Sequence, residues 1–345
     1  MELLRQLVEM SGVPGREERV RALIVRELKP LVDSIRTDTL GNVIGFRRGT
    51  GAGARKKVML AAHMDEIGFV VSHIDDKGFL RFQPVGGFDP RTLMSQRVTV
   101  MGRKDLPGVI GAKPIHILTE EERKKPLELK DYFIDLGMPK KEVDKLVKVG
   151  DPVTLHRQME EIGDCLTCKT FDDRVGVYCM IEAARKVRKS PADIYLVATT
   201  QEEVGLRGAF AAASGIAPDV GVAVDIGLAN DIPGATPQEE VSKLGGGTSL
   251  CILNGSHITN TKLFQHCEEL ARRKKIKYQM DILPRGGTDA GAIQRAPGGS
   301  AVITISIPTR YAHSSVEMVH KSDIQATIDL VAAFIADPGD MKYEL

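Results

Sequence analysis

Residues 195–208 read YLVATTQEEVGLRG. Residues 194–198, IYLVA, are a short apolar run of the length and β-branched flavour of a buried parallel strand. The run leads into two adjacent carboxylates, Glu202 and Glu203, and closes on Gly205 and Gly208. In an open α/β sheet, ligands bind in the crevice beyond the carboxyl ends of the strands. Two like charges side by side there are costly unless something positive sits between or beside them. Taken alone, the pair reads as two solvated glutamates in a strand-to-helix loop. It becomes a site only if ligand-type residues also fall at the ends of other strands.

Moving outward, they do fall there. Residues 58–62, VMLAA, form a second buried-strand run and lead into His63, with Asp65 two residues on. A metal-bound imidazole normally hands its other N–H to a carboxylate, and Asp65 is placed to be that partner. Residues 220–224 end in Asp225-Ile-Gly227, and the long β run 301–307 is followed by His313. Upstream, Asp172 and Asp173 open an amphipathic helix whose apolar side carries Val177, Met180, Ile181, Ala184 and Val187. Further helices are expected near 206–213, at 261–274 and at 322–336, and residues 244–247 read as a flexible loop. Strands alternating with helices predict an α/β domain with a mixed sheet.

Between the first ligand and the FDDRVG stretch the pattern changes. Residues 67–163 hold short β-type runs at 68–74, 79–85, 97–101, 109–110 and 152–155, separated by turn signals such as Gly86-Gly87. The charged stretch 120–148 takes helical spacing after Pro139 and reads as a solvated face. His73, His116 and His156 are scattered and read as structural or surface residues. A segment this long exceeds the roughly 12–15 residues of an ordinary loop. The expected division is a catalytic domain of residues 1–66 and 164–345, interrupted by a β-rich domain of residues 67–163.

Composition narrows the class. At 345 residues about two domains are expected, and 42% hydrophobic with 27% charged residues suits a globular protein. A net charge of +1 gives no electrostatic case for nucleic acid or an anionic membrane. No apolar run approaches the roughly 20 residues of a membrane span, and MELLRQLVEM has no apolar core of a secretory signal. Five cysteines, few and odd in number, suit a reducing cytoplasm. Cys165 and Cys168 form a lone C-x-x-C and read as ordinary thiols.

The strand ends thus offer His63, Asp172, Glu202, Glu203, Asp225 and His313. Two imidazoles among carboxylates suit zinc, cobalt or manganese, and not calcium, which takes oxygen alone. The acids are too many for one tetrahedral zinc. They suit two ions sharing a bridging carboxylate and activating a water. One carboxylate must stay unligated to take that water's proton as general base.

The motifs HMDEIG at 63–68, FDDRVG at 171–176, TQEEVG at 200–205, DIG at 225–227, GGTDAGAI at 286–293 and YAHS at 311–314 are similar to those of the tetrahedral, dodecameric dinuclear aminopeptidases. That family includes glutamyl and deblocking aminopeptidases, and some members carry an old cellulase label. The resemblance covers essentially the whole chain. It implies a zinc-exopeptidase-like catalytic domain interrupted by a β-rich dimerisation domain, and two divalent ions per subunit. It implies that Asp172 bridges them and that the Asp172–Asp173 peptide bond is cis. His63 and Asp225 would complete one site, Glu203 and His313 the other. Glu202 would be the general base and Asp65 the partner of His63. Partners would be peptide substrates and further copies of the chain, up to a dodecamer. The choice of Asp172 over Asp173 rests on the resemblance alone.

Three rival readings remain. A carbohydrase also uses paired carboxylates, but two histidines, no tryptophan and 5% aromatic residues argue against it. A carboxypeptidase, dipeptidase or deacylase would use the same centre. A non-catalytic scaffold should have lost ligands, and here every position is filled. The preferred first residue is not legible: Arg285, Arg310 and Lys243 would favour an acidic one, but they suit surface or interface roles equally.

Overall fold

The apolar runs lie side by side in one mixed sheet. The computed structural model describes residues 1–340 and 342–343. At its centre four parallel strands run in the order Asp193–Thr199, Lys57–His63, Val220–Leu228 and Ala301–Arg310. Val43–Arg47 and then Ser34–Thr37 extend one side with antiparallel pairing. Glu317–His320, Cys165–Cys168 and Glu160–Ile162 extend the other, also antiparallel. Thr248–Asn254 pairs antiparallel with Ala301–Arg310 and carries Tyr278–Leu283 as a parallel neighbour. The sheet has eleven strands among the described residues.

The period of two in these strands sorts their side chains onto two cores. Val58, Leu60 and Ala62 join one cluster, while Met59 and Ala61 join the other. Leu196 and Ala198 against Val197, and Val222 and Val224 against Ala223, repeat the division. Strands apolar on both faces require layers on both faces. Glu2–Glu9, Glu18–Leu28, Phe171–Lys186, Thr261–Lys274 and Lys321–Ala336 cover one face, and Arg207–Ile216 and Asp289–Arg295 the other. Residues 244–247, expected to be flexible, are pinned. Asp323, near the head of the Lys321–Ala336 helix, accepts the N–H groups of Gly245 at 2.7 Å and Gly247 at 2.8 Å.

Within the chain segment after His63, six strands close into a barrel. Their order is Gly68–Ile74, Leu80–Val85, Phe133–Asp135, Asp105–Gly111, Arg97–Met101 and Pro152–Leu155. The barrel has its own core, built on Phe69, Phe82, Val98, Val100, Ile134 and Val153. The stretch expected to be an insertion, 67–163, holds the whole barrel, but its last residues lie elsewhere. Glu160–Ile162 pairs with Cys165–Cys168 in the larger sheet. Three exposed residues have no apolar pattern from which that pairing could be foreseen. Arg19 of the Glu18–Leu28 helix grips Asp105 of the barrel with hydrogen bonds of 2.5 and 2.8 Å. Cys165 and Cys168 stand three residues apart on one strand and so face opposite ways, which excludes a shared ion.

Candidate metal centre

The parallel strands all deliver their C-terminal ends to one cavity of about 620 Å³. His63 is the last residue of its strand, Glu202 and Glu203 follow Thr199, Asp225 lies near the end of Val220–Leu228, and His313 follows Arg310. Asp172 comes from the opposite direction, at the head of Phe171–Lys186, where its ψ of 108° departs from the helix. All six side chains line the cavity.

Asp172 lies between the two imidazoles. Its Oδ1 is 2.9 Å from His63 Nε2, and its Oδ2 is 3.3 Å from His313 Nε2. His313 Nε2 is also 3.6 Å from Glu203 Oε2. Two donor atoms on one ion, each bonded at roughly 2.0–2.2 Å and at a tetrahedral angle, stand about 3.3–3.6 Å apart. The observed separations bracket that spacing. Donor atoms of His63, Asp172 and Glu203 lie within 4.8 Å of one another, as do those of His63, Asp173 and Asp225. Glu202 and His313 belong to neither trio.

The peptide bond between Asp172 and Asp173 is cis. Asp173 has other duties: its Oδ2 accepts the N–H of His63 at 3.0 Å, and its Oδ1 that of Gly176 at 3.1 Å. Asp65 also differs from expectation. His63 Nδ1 is 3.1 Å from the Asp65 main-chain carbonyl, and 3.7 Å from its carboxylate. The carboxylate instead accepts the N–H groups of Glu202 and Glu203, each at 3.1 Å. Asp65 thus fixes the loop that carries both glutamates.

Two supporting groups were not foreseen. Buried Glu317 accepts the N–H of Asp172 and that of His313, both at 2.9 Å, tying the two residues together. The carbonyl of Gly87 lies 3.0 Å from His313 Nδ1, so the segment carrying the barrel reaches back into the site. A carboxylate four residues after a histidine, or a glycine in a turn, carries no signal of either role in sequence.

The charges of the site are unbalanced. Of the residues lining the cavity, Asp172, Glu202, Glu203, Asp225 and Asp281 are acids, and the one guanidinium, Arg285, is exposed at the rim. Burial pushes Glu202 and Asp225 well above the usual carboxylate range, and neighbouring acids add to it. Glu203 rises to about 7, first by burial and then by the nearby Asp172 charge. Burial alone would lower the imidazoles, but the hydrogen bond to Asp172 and the surrounding acids outweigh it. They raise His63 well above its ordinary value and His313 to about 10. Asp172 is held low, since hydrogen bonds from His313 and His63 overcome its burial. Buried acids in excess of two imidazoles fit divalent cations, which would take the place of the imidazole protons, and the mixed N/O donor set is that of transition metals.

A family model for M42 glutamyl aminopeptidases matches residues 41–330. Aminopeptidase APDkam598 of the archaeon Desulfurococcus kamchatkensis is 43% identical, with a TM-score of 0.93 over 97% of this chain and 93% of that one. The TET1 peptidase of Pyrococcus horikoshii, which can assemble into a tetrahedron or a large octahedral shell, is 33% identical, with a TM-score of 0.87 over 97% and 99%. The lysyl aminopeptidase of Pyrococcus furiosus is 36% identical over 354 residues, 99% of this chain and 98% of its own length. Among the described residues no helix is long and apolar enough to cross a membrane.

Proposed function

The chain belongs to the M42 glutamyl aminopeptidase family, and from that premise we propose that it removes N-terminal residues from peptides at a two-ion centre. The observation that carries the reading is the Asp172 carboxylate, held with one oxygen toward His63 and the other toward His313. Asp172 is the shared ligand. His63 and Asp225 complete one position, and Glu203 and His313 the other. Asp173, whose oxygens are taken by main-chain N–H groups, is support rather than bridge. Zinc or cobalt suits this donor set best, with manganese next. When bound, such a pair polarises a scissile carbonyl and lowers the pKa of a water.

The remaining chemistry belongs to the chain. Glu202 lines the cavity beside Glu203 and is the general base. It takes a proton from the attacking water and hands it to the departing amine. Asp65 is a positioning residue: it holds the N–H groups of both glutamates and so sets the loop that carries them. Glu317 and Gly87 hold the far ligands.

The domains divide these tasks. Residues 1–66 and 164–345 carry the ligands and the base. The barrel within residues 67–163 is an association module, and exposed Val109, Ile115 and Ile117 in that segment are apolar surface a second copy would cover. Assembly to dimers and then to a dodecamer, and a cytoplasmic location without nucleic-acid or membrane partners, complete the proposal.

The test is product analysis on a short peptide, with the protein stripped of metal and then reloaded. The free first residue and the shortened peptide should appear only after reloading. Release from the other end, internal cleavage, or equal rates without metal would overturn the reading.

A further inference from the structure

The cavity continues past the metal ligands across three neighbouring strands. Asp225 pairs in register with Ser306, and Ser306 with Ser249. Ser249 Oγ donates to Asp281 Oδ2 at 2.6 Å, and Asp281 stands in register with Cys251. Gly227 lies two residues past Asp225, on the same face. A Cβ there would meet Ser306 Cβ at 3.0 Å and Asp281 Oδ2 at 3.5 Å. The missing side chain therefore keeps a passage open between the ligand Asp225 and the Asp281 carboxylate. Asp281 is 4% exposed and lines the cavity beside Cys251, Asn254 and Leu283.

Asp281 accepts from the Ser249 hydroxyl, has no ion pair among the described residues, and burial raises its pKa. A carboxylate buried without a cation is costly. A substrate can supply that cation. Neighbouring strands are about 4.8 Å apart, so Ser249, whose hydroxyl holds the Asp281 carboxylate, stands two strands and roughly 10 Å from Asp225. That separation suits a long side chain with a charged end. The positive residues that would favour an acidic substrate are placed otherwise. Arg310 is committed to Asp231 through hydrogen bonds of 2.6 and 2.7 Å. Lys243 is exposed and does not line the cavity, and Arg285 lies at the exposed rim, where solvent screens it.

We propose that Asp281 is the specificity-determining residue of the cavity, and that it selects peptides whose first residue is lysine or arginine. The proposal rests on the aminopeptidase reading. The family model carries the glutamyl name and the Pyrococcus furiosus relative the lysyl name, so family membership alone does not choose between them and the cavity must.

The experiment compares lysyl, arginyl, leucyl and glutamyl reporter substrates on the metal-loaded wild type and on Asp281→Asn, with peptide mixtures as a second readout. Wild type should favour the basic residues over glutamyl, and should trim basic N-termini first from the mixture. Asp281→Asn keeps the shape and can still accept from Ser249. It should lose on the order of a hundredfold in kcat/KM for lysyl substrate, mostly through KM, while leucyl turnover stays within about twofold. Leucyl turnover and thermal unfolding of the variant report its folding. A wild type that prefers glutamyl or leucyl substrates overturns the proposal, whatever the variant does. So does a variant that loses all substrates equally while remaining folded. No turnover on any of the four by loaded wild type would instead bring down the aminopeptidase reading, and the specificity with it.

Discussion

Asp65 and Glu66 are neighbours in sequence and go to opposite fates. Glu66 turns into the core and finds everything a buried acid needs within the chain. Its Oε1 accepts the N–H of Gly12 at 2.9 Å, and its Oε2 accepts from Thr170 Oγ1 at 2.9 Å and from Lys169 Nζ. Arg174 stands 3.7 Å away, itself fully buried. On the other side of the strand end, Asp172, Glu202, Glu203 and Asp225 share a cavity with imidazoles and no lysine. One cluster is electrically complete and the other is not. A fold can bury a charge with its own counter-charge as a structural joint. A group of buried charges left without one marks a place where something from outside completes the balance.

The strongest way to break this contrast is to remove single carboxylates from the incomplete side. Asp172→Ala should lose bound metal together with all measurable turnover, since in the proposed centre both positions share that side chain. Glu202→Gln should keep its metal and lose turnover by about 10²–10⁴-fold, the usual range for general-base catalysis. Metal content measured beside kcat separates the two classes. Near-normal turnover in metal-loaded Glu202→Gln would refute the base assignment.

The complete side should fail differently. Lys169→Met leaves Glu66 buried with one of its cations gone, and such a break typically costs about 3–5 kcal/mol. Arg174 remains near, so the lower end is expected. The double change Glu66→Gln with Lys169→Met should recover most of the loss, because no charge is then stranded. Denaturant unfolding of the singles and the double checks this. If the double were no better than Lys169→Met alone, the cluster would not be the self-contained ion pair described above.

How much of this was legible follows from where each interaction runs. The gathering of His63, Glu203, Asp225 and His313 at one cavity could be read because each follows an apolar run, and strand ends in an α/β sheet converge. The alternation that sorts Met59 from Leu60 could be read for the same reason. Asp172 and Asp173 could not be told apart, since what separates them is the use of Asp173 by the main-chain N–H groups of His63 and Gly176. The pairing of Asp65 with its own loop partners spans 137 and 138 residues, and no local pattern encodes it. Asp281 is one residue of the strand Tyr278–Leu283, with no motif around it in sequence. Its meaning came from the gap at Gly227, which only the assembled sheet reveals.

The smallest expected effect sharpens the contrast through pH. A carboxyl whose folded pKa is raised binds its proton more tightly in the folded state, so stability falls as pH rises across the interval. Glu203 covers the interval from its ordinary 4.5 to about 7. His313 has the same sign. Its folded pKa is raised from 6.5 to about 10, so the stability it adds is full below 6.5 and lost toward 10. That ring is 40% exposed, and solvent damps its share. Asp172 has the opposite sign, but its window lies below 3.8. The metal-free protein should therefore lose stability steadily from pH 5 to 9, by at most about 1.4 kcal/mol per pH unit for each proton involved. Metal binding needs the ligands deprotonated and gains strength as pH rises. Adding zinc or cobalt should then flatten or reverse the slope, with no such change in a variant lacking Asp172. Denaturant midpoints across the pH series, with and without metal, decide it. A metal-free protein that grows more stable from pH 5 to 8 would show that the acids of the cavity are already balanced from within the chain.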